Sequence, residues 1–506
     1  MSELPTVVVT GASGFMGQRL IQRLRHSYRV VALDWHARAA AAGDPHPNVL
    51  WHNLDVADEA AVRECFADLR KSGGAAALVH LAAYYDFTGE EHPEYQRTNV
   101  GATRNLLEQS LALNLERFVF ASSVAACEFN EPGRPITEDT PADGTHPYSR
   151  SKAEGERMLR EFSSRMPTCA IRFAAIFSDW CEYPPLYEFL GTWLTRRWNA
   201  RILAGRGESS IPFLHARDSV RFVQRVLERR TRLDPFEIVV ASQNGSVTHR
   251  ELFETATEYY FGRRRKPILM PKALCGPGIR VREAAGHLQG RQHFERPWMV
   301  TAIDKRLDVD ASRTRERLAW SPQDRLDVLR RLPYMIENMK SDPVEWMRRN
   351  VEVMDNVALR PNLRVYRLIE KHEPEILEGY AGAVAGREGD ELLRRYRTLA
   401  AEEDEWHNRL ALRSLITSIR TGEKKGFMTF CRDLAGRRMA QGFEARELVH
   451  AVRTLERACV DAVRRDPEAA GLDSALHDHL EMTVEFGIDQ ILEAYDDAEY
   501  AEKRPA

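Results

Sequence analysis

The chain has no C-x-x-C pair, and its seven cysteines are an odd number. That excludes a zinc ribbon and argues against a disulfide framework, leaving the reducing cytosol as the natural compartment. No uninterrupted apolar run approaches the roughly 18 residues of a membrane span, so none is expected. The N-terminus runs straight into a strand-like stretch and leaves no room for a signal peptide. An excess of one charge is also missing: 72 Lys and Arg stand against 75 Asp and Glu, a net charge of −3. On that balance neither nucleic acid nor an anionic membrane is an expected partner. Internal repeats and low-complexity segments are absent as well. With 43% hydrophobic and 29% charged residues over 506 positions, two or three ordinary globular domains remain.

What is present begins with three glycines. Thr10-Gly11-Ala12-Ser13-Gly14-Phe15-Met16-Gly17 follows the apolar run Val7-Val8-Val9 and precedes an amphipathic stretch with Leu20, Ile21 and Leu24. Strand, glycine turn and helix together present free backbone N–H groups and a positive helix end to a pyrophosphate. The spacing is G-x-x-G-x-x-G, not the G-x-G-x-x-G of the general fingerprint. A second strand, Tyr28 to Leu33, ends on Asp34. An acidic residue about 20 positions past the glycines suits the adenosine ribose hydroxyls and repels a 2′-phosphate, so NAD is favoured over NADP. His36 and Arg38 follow closely and soften that choice. The blander readings are a glycine turn that binds nothing and a surface Asp closing a strand.

Two further strand ends follow, at Asn53-Leu54-Asp55-Val56 and at Leu78-Val79-His80-Leu81-Ala82-Ala83. Small Ala82 and Ala83 let backbone approach a flat cofactor. His80 reads as a packed or hydrogen-bonded strand-end residue before it reads as a catalyst. Asn99, in Thr98-Asn99-Val100-Gly101-Ala102-Thr103, either ties two strands together or lines the site. The candidate dinucleotide contacts are therefore Gly11, Ser13, Gly14, Phe15, Met16, Gly17, Asp34, Asp55, Val56, Leu81, Ala82, Ala83 and Asn99, with Tyr148 and Lys152 from the next motif.

Tyr148-Ser149-Arg150-Ser151-Lys152 sets a phenol and an amine one helical turn apart on one face. A free tyrosine, with a pKa of about 10, is a poor base at neutral pH. A neighbouring ammonium and an oxidised nicotinamide favour phenolate, so the pair can shuttle a proton while hydride moves. The fifth strand, Phe118 to Ser123, ends in two hydroxyls, and Ser123 can hold a substrate oxygen against Tyr148. No metal is required by this trio.

On these motifs residues 6 to about 335 resemble the extended short-chain dehydrogenases/reductases, the NAD-dependent epimerase/dehydratase family. T-G-x-x-G-x-x-G at 10–17, H-L-A-A at 80–83, N-V-x-(G/A)-T at 99–103, Ser122-Ser123 and Y-x-x-x-K at 148–152 carry the likeness. Ile171-Arg172, Leu214-His215-Ala216-Arg217-Asp218 and Asp310-Ala311-Ser312 through Trp320 extend it. The resemblance implies Tyr148 as general acid/base, Lys152 on the nicotinamide ribose and lowering the Tyr148 pKa, and Ser123 orienting the substrate oxygen. It implies a doubly wound parallel-sheet domain over 1–340 with a substrate-capping region at about 175–300, and a possible homodimer through the helix carrying Tyr148. Departures matter too. Val124 and Ala125 stand where family dehydratases carry Asp-Glu, so sugar dehydration is not expected, and Cys127-Glu128 replaces a Tyr-Gly. Arg172-Phe173-Ala174-Ala175-Ile176-Phe177 stands where many sugar-nucleotide enzymes carry an Asn, which weakens a sugar nucleotide as substrate class and leaves room for a lipophilic alcohol or ketone. Tyr84, Tyr85, Phe87, Trp180 and Tyr183 suit an apolar pocket or plain core.

Arg263-Arg264-Arg265-Lys266 reads as a solvated turn before the strand Ile268-Leu269-Met270, and less readily as a grip on a substrate phosphate. Cys127 and Cys181 have nothing nearby to activate them and read as packing residues. Beyond the Ser341-Asp342-Pro343 joint the texture turns helical: a linker helix at 341–360, then a bundle at 361–500 with breaks near Pro361, Gly386–Gly389, Gly422–Gly426, Gly442 and Asp466–Gly471. Leu448, Val452, Leu455 and Cys459 form one apolar seam. Asp404-x-x-His407 and His477/His479/Glu481 are too sparse for a ferritin-like metal site. Leu434 to Phe443, continuing through Glu447-Leu448-Val449, resembles the non-haem globin-like sensor domain of RsbR-type stressosome proteins. The leading expectation is an NAD-dependent oxidoreductase or epimerase of a secondary alcohol or ketone. The alternative is a nucleotide-redox sensor whose bundle meets a protein partner.

Overall fold

Short β-branched runs alternate with amphipathic helices along the first half of the chain, and that alternation builds a parallel sheet with helices on both faces. The computed structural model describes residues 4–502 apart from 36–45, 87–88, 130–133, 289–295, 358–360, 386–390, 400, 422–423, 467–468 and 470–471. It divides into two units, Met1–Ala358 and Leu359–Ala506.

In the first unit, β1 (Thr6–Thr10), β2 (Arg29–Asp34), β3 (Val49–Asn53), β4 (Ala77–His80), β5 (Arg117–Ser123), β6 (Thr168–Phe173) and β11 (Phe236–Ala241) form a seven-stranded sheet ordered β11-β6-β5-β4-β1-β2-β3. Every pairing is parallel. Because side chains alternate along a strand, Val7 and Val9 join one core layer and Val8 the other. Helices α1 (Phe15–Leu24) and α6 (Ala216–Glu228) cover the first face. Helices α2 (Glu59–Lys71), α3 (Ala102–Ser110) and α4 (Pro147–Phe162) cover the second. Strand order reverses between β1 and β4, so the connections leaving them diverge and open a crevice at their C-terminal ends.

A smaller region is interleaved with the sheet where a substrate cap is expected. It supplies β7 (Ala175–Phe177), β8 (Ile202–Ala204), β9 (Ser210–Ile211), β10 (Phe213–His215), β12 (Val247–Thr248) and β13 (Ile268–Met270) in two-stranded pairs. Helices α5 (Pro184–Trp193), α7 (His249–Phe261) and α8 (Lys272–Leu288) accompany them, while α6 and β11 return to the main sheet. The short α9 (Ser312–Leu318) ends in the Leu318-Ala319-Trp320 turn. Then α10 (Val328–Ser341) and α11 (Pro343–Val357) pack Leu332, Met335, Ile336 and Trp346 into a core shared with Leu186 and Leu190 of α5 and Phe253 of α7.

The second unit is all-helical: α12 (Pro361–Lys371), α13 (Glu373–Ala385), α14 (Ala401–Thr421), α15 (Lys425–Ala440), α16 (Ala445–Arg465) and α17 (Met482–Glu502). Leu448, Val452, Leu455 and Cys459 of α16 are all in its core. The Arg438-x-x-Gln441-Gly442-Phe443 stretch ends α15. Gly442 takes φ 81°, the Phe443 N–H returns to the Arg438 carbonyl, and the buried Arg438 guanidinium lies over Phe443 and Tyr396. The observed class is thus the one read from the sequence, α/β doubly wound with a helical bundle. No described helix is long and apolar enough to cross a membrane. Among the described residues no three His, Cys, Asp or Glu side chains cluster as a metal site. His477 meets Glu481 alone at 3.0 Å, and the side chains of Asp404 and His407 lie outside the described residues. All seven cysteines are free thiols.

Candidate functional site

The glycine turn lies at the mouth of the crevice. Gly11 takes φ 65°, and a Cβ there would sit 2.7 Å from the Ala82 nitrogen. At Gly17 a Cβ would sit 2.2 Å from the Gly11 carbonyl oxygen. Both clashes are with backbone, so only glycine allows the turn, the start of α1 and the 81–83 segment to meet. Gly14 caps α1 without a side-chain hydrogen bond, and no acidic residue stands in the first turn. That helix end is open to an anion. Asp34, buried at the end of β2, accepts the Ser13 N–H at 2.9 Å, tying the ribose-binding candidate to the turn. These features fit a dinucleotide: a cradle a Cβ would fill, an open helix end and an acid on the neighbouring strand. His36 and Arg38 lie outside the described residues.

The other candidates divide. Asp55 is held by Arg97 and by the Ala57 N–H, and Val56 is buried beside it. His80 bonds Thr10 at 2.8 Å and Thr103 at 3.0 Å, and burial, then Lys152, lower its pKa to about 3. It is a neutral strap between strands and helix, as read from the sequence. Asn99 accepts the Tyr84 N–H and donates to the Tyr84 carbonyl and the Ser151 hydroxyl. It therefore fastens the segment after β4 to α4.

Tyr148, Lys152 and Ser123 do come together. Proline at the first position of α4 and His146 as its N-cap, accepting the Tyr148 N–H at 3.2 Å, fix where the helix starts. Tyr148 stands near enough to Ser123, at the end of β5, for that hydroxyl to act on its pKa. Lys152 Nζ lies 5.7 Å from the Tyr148 ring centre and 4.9 Å from that of Phe120, and donates to the Ala121 carbonyl at 2.8 Å. Burial raises the Tyr148 pKa to about 12 against the lowering effect of Ser123. Burial alone lowers Lys152 to about 7.

Aromatic side chains surround the phenol. The Tyr85 ring is 4.3 Å from that of Tyr148, and Tyr183 lies within electrostatic reach of both. Tyr84 instead packs on His92 and Tyr95, Trp180 lies under Arg349, and Phe87 is outside the described residues. Two neighbours, Trp298 and His146, have no sequence signal. Trp298 stacks 4.8 Å from His146 and closes over Gly89, and His146 Nε2 is buried with no hydrogen-bond partner among the described residues. Arg172 of the Ile-Arg motif forms a buried pair with Glu156, which also takes the Ser122 hydroxyl. Cys127 and Cys181 are buried, and burial pushes both thiols up, Cys127 to about 12. They are packing residues.

Residues 7–241 match the model of the NAD dependent epimerase/dehydratase family. The UDP-glucose 4-epimerase of Caenorhabditis elegans is 32% identical over 182 residues, 32% of this chain and 50% of that protein. UDP-glucose 4-epimerase 2 of Oryza sativa subsp. japonica is 31% identical over 196 residues, 36% of this chain and 46% of that protein. This chain spans about half the length of these curated relatives. Among solved structures, the dTDP-glucose 4,6-dehydratase of Bacillus anthracis str. Ames in complex with NAD has a TM-score of 0.50 at 18% identity, covering 68% of this chain and 99% of that one. A UDP-glucuronic acid 4-epimerase variant from Bacillus cereus gives 0.50 at 16%, covering 66% and 99%. At those identities the likeness is one of fold. The epimerase/dehydratase family is thereby supported for residues 7–241, and the helical bundle lies outside that match.

Proposed function

We propose that the first unit is an NAD-dependent oxidoreductase or epimerase acting on a secondary alcohol or its ketone, with a sugar nucleotide as the first substrate class to try. The relatives' names supply that class, and the gathering of Ser123 and Lys152 about Tyr148 carries the reading. Ser123 Oγ orients the substrate oxygen, and Tyr148 Oη takes or returns its proton. NAD, when bound, takes up or returns the hydride. The 11–17 turn holds the pyrophosphate, Asp34 the adenosine ribose, and Lys152 the nicotinamide ribose. Val124 and Ala125 offer no carboxylate or acid for eliminating water, which favours redox or epimerisation over dehydration. The Tyr85 and Tyr183 rings give an apolar wall that suits the face of a sugar ring and also a lipophilic ketone.

The test is calorimetric binding of NAD and NADP to the full chain, with UDP-sugar interconversion and lipophilic-ketone reduction assayed beside it. NAD binding that relaxes towards NADP in Asp34→Ala, with turnover lost in Tyr148→Phe, is expected. Failure to bind either dinucleotide would overturn the reading. Binding without turnover would favour the nucleotide-redox sensor, with the RsbR-like bundle signalling to a protein partner.

A further inference from the structure

The segment joining α7 to α8 carries a surface with no part in the site above. Among the described residues β13 pairs only with β8, in a two-stranded ribbon, and Ile268 and Leu269 on it are 51% and 41% exposed. Leu274, in the first turn of α8, is 59% exposed. One exposed aliphatic residue needs no explanation, but three within seven positions do. The flanks of this cluster are basic. Arg263 to Lys266 precede it, Lys272 and Arg280 follow, and no acidic residue occurs from 259 to 280. Arg264 is neutralised by Glu254 and Glu258. Arg263, Lys266 and Arg280 are exposed and have no ion pair among the described residues. Arg201 donates to the Lys266 carbonyl and adds another cation. Burial, then the like charges of Arg263, Arg201 and Arg196, lower the Arg265 pKa, which marks how closely these cations stand.

We propose that this surface docks on an anionic phospholipid bilayer, with Ile268 and Leu274 entering the acyl boundary and Arg263, Lys266 and Arg280 meeting lipid phosphates. Aliphatic side chains set among exposed cations are what an interfacial lipid contact requires. A nucleic-acid surface would pair its cations with aromatic stacking platforms. Among the described residues Tyr259 is the one exposed aromatic in this stretch, against the exposed aliphatic side chains Ile268, Leu269 and Leu274, so the bilayer is favoured. The net charge of −3 does not oppose docking, since charges beyond a Debye length of about 10 Å are screened. The balanced total hides a local run of one sign.

The test is sedimentation of the full chain with vesicles of phosphatidylcholine alone and of phosphatidylcholine mixed with phosphatidylglycerol. Sedimentation with the anionic vesicles only, reversed by salt, is expected. Neutralising a cation should weaken that binding about fivefold, so Arg263→Gln with Lys266→Gln compounds the loss. Ile268→Ser or Leu274→Ser should each weaken it about tenfold, with circular dichroism unchanged because the sites are exposed. No sedimentation at low salt would overturn the proposal, as would binding that neither set of variants weakens. Capture of single-stranded RNA with vesicles ignored would also overturn it, by assigning the surface to nucleic acid.

Discussion

Asn350 of α11 accepts the Glu182 N–H through Oδ1 at 2.8 Å and donates through Nδ2 to the Trp180 carbonyl at 2.9 Å. Between them Cys181 and Glu182 take φ 72° and 51°, left-handed conformations that cost non-glycine residues about 1–3 kcal/mol each. The turn persists because its surroundings hold it. It places the Glu182 carboxylate 2.9 Å from Arg19 of α1, just past the glycine turn, and sets Tyr183 beside Tyr148. Asn350→Ala removes both of the Asn350 bonds and leaves the Glu182 N–H and the Trp180 carbonyl with their own mutual bond at 3.1 Å, a loss of about 1–2 kcal/mol. Urea unfolding should show that loss, and calorimetry a weaker affinity for NAD. A wild-type unfolding midpoint would mean that the turn is held from elsewhere.

The glycines should rank by what a Cβ meets. Gly17→Ala drives a methyl into the Gly11 and Ala12 carbonyl oxygens, at 2.2 and 2.7 Å, and backbone cannot yield there as a side chain can. Gly14→Ala meets only the Gly11 carbonyl oxygen, at 3.2 Å. We expect Gly17→Ala to lose dinucleotide binding and about 2 kcal/mol or more of stability, and Gly14→Ala to lose under about 1 kcal/mol. Thermal melts with and without NAD separate the two effects. Equal behaviour of the two variants would remove the steric account.

His80 predicts the acid limb of stability. Its folded pKa of about 3 lies below the ordinary 6.5, so between those values the unfolded chain binds the extra proton. Stability therefore falls as pH drops from 6.5 towards 3, by up to about 1.4 kcal/mol per pH unit. His80→Gln keeps a donor and an acceptor for Thr10 and Thr103 but cannot be protonated. Its stability should fall less steeply over the same range in urea titrations at stepped pH. Parallel slopes for the two proteins would assign the acid lability to other groups.

What could be read from the sequence is what is local in it. The Thr10–Gly17 turn, the strand-end Asp34 and the Tyr148–Lys152 pair each declare themselves within a few residues, because strand period, glycine and helix pitch are short-range. The Asn350–Glu182 and Trp298–His146 contacts join residues far apart in the chain, and no spacing announces them. The linker expected at 341–360 shows the same limit. Amphipathic periodicity foretells a helix there, but not that its Trp346 enters a core with α5 and α7. Nor does the Tyr-x-x-x-Lys motif reveal its own electrostatics, since burial decides which of the two groups is charged.

That burial gives the last prediction. Lys152 has a folded pKa of about 7 against the ordinary 10.5, so between those values the unfolded chain holds a proton that the folded chain has released. Stability then rises with pH from about 7 to 10.5, and below 7 the folded chain bears the full cost of a buried ammonium. Lys152→Met fills the same space without the charge. The variant should be the more stable protein at neutral and mildly acidic pH, its advantage closing by up to about 1.4 kcal/mol per pH unit as pH climbs towards 10.5. The same variant should bind NAD more weakly, because the residue that burdens the fold is the one offered to the nicotinamide ribose. Urea titrations across pH 7 to 10 and calorimetry on the same samples test both halves. A less stable variant at pH 7 would show that the bond to the Ala121 carbonyl outweighs desolvation, and that Lys152 supports the fold before it serves the site.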